Sequence, residues 1–160
     1  MDHIRVWVYQ ANRKLTNDEV QFLEQELKLF IDQWKAHGQD LQAGFEILHN
    51  SFVVLKVDQQ KAQASGCSVD ASVNFMKDLQ ARLGVDFFDR QMVNYEDANG
   101  TLNLIKLDEL GTKVDAGEIT DDTFIFNPLV QNLSEYQSQF KIPFRDSWHK
   151  NLLKQGMIPT

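Results

Sequence analysis

Cysteine occurs once in this chain of 160 residues, at Cys67, which excludes an intramolecular disulfide and any metal site built from several thiolates. That scarcity fits a reducing compartment, and a cytoplasmic location is the expectation. No apolar run approaches the roughly 18 residues that a membrane-spanning helix needs. The opening Met1-Asp2-His3-Ile4-Arg5 lacks the basic stretch and apolar core of a secretory signal. Basic side chains are outnumbered, 16 against 23 acidic, for a formal charge of -7. A field of that sign repels phosphate backbones and anionic headgroups, so neither nucleic acid nor a membrane is expected as partner. The phosphate-wrapping loop Gly-x-x-x-x-Gly-Lys is absent. His3, His37, His49 and His149 are scattered without metal-ligand spacing, so no metal and no cofactor is expected.

What is present is an ordinary globular balance, 42% apolar and 24% charged, in a chain of a length suited to one domain. Residues 4 to 11 alternate as a strand, with Ile4, Val6 and Val8 on one face and Arg5, Trp7 and Tyr9 on the other. Thr16-Asn17-Asp18-Glu19 is a capping box. It opens a helix whose stripe of Val20, Leu23, Leu27, Phe30, Ile31 and Trp34 runs to about His37, with Gly38 as its left-handed stop. Gln42 to Leu48 and Phe52 to Val57 read as a hairpin around His49-Asn50-Ser51, the second run apolar enough for a central strand. Val69, Val73, Met76, Leu79 and Leu83 mark a second helix stopped by Gly84, and Arg90 to Tyr95 a fourth strand.

Strand, helix, two strands, helix, strand is the βαββαβ order of an α+β, ferredoxin-like split βαβ sandwich. The expectation is a single domain, with residues 1–95 as that core and residues 96–160 as an α/β elaboration packed on it. In the latter, Thr101 to Ile105 and Thr123 to Phe126 are strand candidates. Pro128 and Pro143 bracket a helical stretch, and Trp148, Leu152 and Leu153 suggest another. Trp7 and Tyr9, placed on the outer face of the first strand, call for a cover from this tail or from a second copy in a homodimer.

The segment Ala64-Ser65-Gly66-Cys67-Ser68-Val69-Asp70 leads into the second helix. Amides at a helix N-terminus attract anions and lower a thiol's pKa. Cys67 is therefore a candidate nucleophile or redox sensor, with His37 as its preferred base, since the C-terminal end of the first helix would favour a protonated imidazole. Ser65, Gly66, Ser68 and Asp70, with Trp34, are candidates for binding a small anionic ligand. The plainer reading is that a serine caps the helix, Gly66 permits the turn, Cys67 is a small buried residue and His37 caps the preceding helix. A phosphatase loop would need arginine six positions after the cysteine, where Val73 stands. His49, in a turn, and His149, in Ser147-Trp148-His149, are expected to be exposed.

Several segments together resemble a family of small bacterial proteins often labelled ABC transporter ATPases. They are Arg5 to Ala11 with Arg13, Trp34 with Ala36 to Leu41, Ala64 to Asp70, Phe126-Asn127, and Ser147 to His149. The label implies ATP hydrolysis, which needs the phosphate loop this chain lacks, and the family has no established activity. Two functions remain open on the residues: a non-enzymatic module for small-ligand binding or protein assembly, and a small thiol-dependent enzyme or redox sensor using Cys67.

Overall fold

A computed structural model describes every residue except Met1, Lys61, Met157 and Thr160. The protein is mixed α+β, with antiparallel sheets and, among the described residues, five α-helices. The chain divides into two compact units: Met1–Asp89 with Leu129–Gln137, and Arg90–Pro128 with Ser138–Thr160.

The first unit contains β1 (Ile4–Gln10), α1 (Asn17–Gln33), β2 (Lys35–Ala36), β3 (Gln39–Asp40), β4 (Gln42–Leu48), β5 (Phe52–Asp58) and α2 (Gly66–Leu83). Its main sheet has the order β1-β5-β4. β5 is central because Phe52, Val53, Val54, Leu55 and Val57 are buried, so both of its faces need cover. α1 starts at the expected capping box: the Glu19 amide donates to Thr16 Oγ1 at 3.1 Å and the Thr16 amide to Glu19 Oε1 at 2.9 Å. The Arg13 guanidinium grips both Glu19 oxygens at 2.8 Å and donates to Leu83 O at 3.0 Å, tying the start of α1 to the end of α2. α2 stops at Gly84, whose φ of 65° is the left-handed conformation that glycine adopts without strain.

Both helices cover one face of this sheet: Leu23 and Leu27 of α1 and Met76 and Leu79 of α2 share a core with Tyr9, Val53, Leu55 and Val57. The orientation of β1 is thus opposite to the expectation. Tyr9 is buried in that core, and Trp7 packs against it with its ring 5.8 Å from that of Trp34. The large aromatic face goes to the helices because it has the most apolar area to remove from water. Val6 is buried on the other face, so alternation alone could not identify the inner side. On that face Tyr136 Oη donates to Glu46 Oε2 at 2.8 Å, while Lys56 donates to Glu46 Oε1 at 2.6 Å and sits 5.0 Å from the Tyr136 ring.

The second unit contains β6 (Met92–Glu96), β7 (Leu102–Lys106), α3 (Leu110–Asp115) and β8 (Phe124–Phe126). After α4 (Leu133–Gln139), which spans the boundary at Gln137, come β9 (Lys141–Pro143) and α5 (Trp148–Lys154). The sheet order is β7-β6-β8-β9. β6, expected as the fourth strand of the first sheet, pairs instead with β7 over five residues and with β8. Val93, Tyr95, Ile105, Leu110, Ile119 and Ile125 form this unit's core. Among the described residues no helix is long and apolar enough to cross a membrane.

Candidate functional site

The site begins where α1 ends. The helix stops at Gln33 rather than near His37, and Trp34 takes an extended conformation with φ -75° and ψ 122°. The indole ring is 3% exposed, lies 5.1 Å from the Phe30 ring, and donates through Nε1 to Ser68 O at 2.8 Å. The Leu41 amide closes on Trp34 O at 3.0 Å, and the chain between them folds as the β2/β3 hairpin. Its turn is His37-Gly38, with φ of 52° and 78°. Two successive positive φ values are what a tight hairpin turn requires, and Gly38 supplies one of them without strain. Gly38 is left-handed as expected, but in a hairpin, so His37 stands at no helix terminus. It is exposed.

The other wall is the start of α2. Ser65 is the N-cap: the Ser68 amide donates to Ser65 Oγ at 3.1 Å, and the Ser65 amide to Ser68 Oγ at 2.7 Å. This reciprocal cap uses the third amide of the helix. The Gly66 and Cys67 amides occupy positions that helix geometry leaves without intrahelical acceptors. Cys67 is exposed in this turn, which overturns its reading as a small buried residue. The serine cap of the plainer reading is present all the same.

Between the two walls lies a cavity of about 510 Å³. Trp34, His37, Ser65, Cys67 and Ser68 all line it, so five sequence candidates from segments some 30 positions apart meet at one place. Gly66 and Asp70 do not line it; both are exposed residues of the early α2 turns. Phe30, Gln33, Lys35 and Ala71 complete the lining and were not anticipated. Lys35 Nζ stands 3.7 Å from Asp40 in an exposed pair, which water screens strongly and which leaves the ammonium able to meet another anion. The Cys67 thiol and His37 imidazole line one cavity without a hydrogen bond between them. Cation, imidazole, hydroxyls and helix-start amides around an aromatic floor can hold a small anion with an apolar portion.

In the second unit, the Trp148 indole donates to Asn127 Oδ1 at 3.0 Å, joining the Phe126-Asn127 and Ser147-Trp148-His149 segments. His149 is 1% exposed, against the expected exposure, and its Nδ1 has no hydrogen-bond partner among the described residues. Burial pushes this imidazole from 6.5 down to about 4, so it is neutral at physiological pH. Its ring stacks on Trp148 with centroids 3.7 Å apart. Among the described residues no three His, Cys, Asp or Glu side chains converge as a metal site would require. Compared with known proteins, the chain matches no family model, no curated protein and no solved structure.

Proposed function

We propose that the first unit is a variant of the ferredoxin-like sandwich that works as a small-ligand-binding module, and that its ligand is a small organic anion held in the Trp34–Cys67 cavity. The observation that carries this reading is the cavity itself, where the β2/β3 hairpin brings Lys35 and His37 against the start of α2. The βαββα order of the main-sheet strands and helices, with the β2/β3 hairpin set apart and both helices on one sheet face, supports the architectural part.

Binding is tested by thermal denaturation of the intact chain against a panel of small carboxylates and phosphates. A ligand at one hundred times its Kd adds about 2.7 kcal/mol of stability, so a true ligand raises the melting temperature in a concentration-dependent way. Ala71→Trp, at an exposed lining position, is expected to fill the cavity and remove the shift while leaving the unliganded protein folded. A panel without any stabilising anion, or a shift that survives Ala71→Trp, contradicts the reading.

A second reading, thiol chemistry at Cys67, is favoured by the exposure of the sulfur inside the same cavity. It is the weaker one, because among the described residues no base is hydrogen-bonded to the thiol, and His37 stands in a hairpin turn and not at the end of a helix. His37→Asn separates the two. A thiol enzyme would lose its fast alkylation of Cys67 at neutral pH, whereas a binding module would keep the same alkylation rate.

A further inference from the structure

The main sheet of the first unit treats its two edges differently. β1 is met by the chain's own segment, through the Val6 amide donating to Gln131 O at 2.9 Å and an antiparallel bridge between Arg5 and Asn132. β4 has β5 on one side only, and among the described residues no backbone group pairs with its outer edge. Exposed edges are ordinarily protected by lysine, proline or a bulge. Gln42–Leu48 has none of these: its register with β5 is unbroken, and Glu46 is its only charged residue.

We propose that the β4 edge is an interface for a second copy of this chain, the two β4 strands pairing antiparallel about a two-fold axis at Phe45 to join both sheets into one. A two-fold contact must be self-complementary, so each residue before Phe45 faces its mirror position after it. On the helix-bearing face Ala43 meets the partner's Ile47, and the two Phe45 rings meet each other, both favourable cross-strand pairs. On the other face Gly44 meets the partner's Glu46. A Cβ at Gly44 would touch nothing within 4 Å, so the space for that carboxylate is open. Lys56, the register partner of Gly44, is bonded to its own chain's Glu46 and lies one strand beyond the incoming charge. A register centred on Glu46 would oppose two carboxylates directly, which the Phe45 register avoids.

The test is sedimentation equilibrium of the intact chain up to about 0.1 mM, where even weak specific association is visible, for wild type, Gly44→Glu and Gly44→Lys. The wild type is expected to dimerise. Gly44→Glu, which faces like charges twice per dimer, should weaken association by at least about tenfold. Gly44→Lys faces the partner's Glu46 and should retain it. Circular dichroism should show all three folded, as the open space at Gly44 allows. If Gly44→Glu fails to fold, wild-type hydrogen exchange decides, since the alternate amides of Ala43 to Ile47 that face away from β5 must gain protection with concentration. A chain monomeric throughout, a dimer indifferent to Gly44→Glu, or β4 exchange independent of concentration overturns the proposal.

Discussion

Trp34 shows what one residue can decide. Its position four after Phe30 continues the helical stripe of α1, yet its indole bonds to Ser68 O and its backbone leaves the helix. Trp34→Phe keeps most of the apolar area but loses the indole's bond to Ser68 O, which retains its helical bond from the Ser72 amide; the loss of this one bond is expected to cost about 0.5–1.5 kcal/mol in urea unfolding. His149 is the corresponding case in the second unit. Its folded value of about 4 lies below the ordinary 6.5, so the unfolded chain binds more protons between those pH values. Its contribution is fully present above about pH 6.5 and is lost as pH falls toward 4, by about 3 kcal/mol for a group so fully buried. His149→Leu should flatten that part of the stability profile, measured by urea unfolding at pH 7 and pH 4.5. An unchanged slope would show that His149 is not the group responsible. Nothing in the residues around His149 announced its burial, because histidine in a short polar segment is ordinarily exposed.

Among the elements, signals local to a helix end were readable and signals shared by two structures were not. Thr16 with Glu19, and Gly84, each have one common use, and each is found in it. Gly38 has two, since a helix stop and a tight hairpin turn both need positive φ, and the hairpin prevails because it lets Trp34 be buried. Gly38→Val should cost about 1–2 kcal/mol, as a side chain in the left-handed region does, and should weaken anion binding by displacing Lys35 and His37. Retained binding in this variant would detach the hairpin from the site. The Arg13–Glu19 pair joins the loop after β1 to the first turn of α1, with side chains 41% and 19% exposed. The guanidinium holds the Glu19 carboxyl down from 4.5 to about 2. Its stabilisation is therefore present above about pH 4.5 and lost as pH falls toward 2. Solvent screening limits the coupling to about 0.2–1 kcal/mol, which a double-mutant cycle of Arg13→Ala and Glu19→Gln would measure. Coupling near zero at pH 7 would contradict it.

For the whole molecule, the order of the main strands and helices was legible through the end of α2; after it the strand and helix candidates are found, but not the pairing of β6. β6 has the pattern of a fourth strand, but Asp97 to Gly100 closes a short hairpin to β7, with the Asp97 amide on Thr101 O at 2.9 Å. A contact so close in sequence forms with little loss of chain entropy, whereas a return to β1 would close a loop across most of the first unit. The edge of β1 is met instead by Gln131 and Asn132, a pairing without any local signature. The candidate site was legible in composition, since five of its lining residues stood out in the sequence, but not in geometry, because the hairpin that assembles it was read as helix. The most direct test of the site is the rate of iodoacetamide alkylation of Cys67 in the intact native chain, compared with the urea-unfolded chain and repeated with an anion that raises the melting temperature. The native rate should lie within about tenfold of the unfolded one, as for an accessible thiol, and the anion should slow it in the wild type but not in Ala71→Trp. A thiol protected until the protein unfolds, or one indifferent to every stabilising anion, would contradict the account.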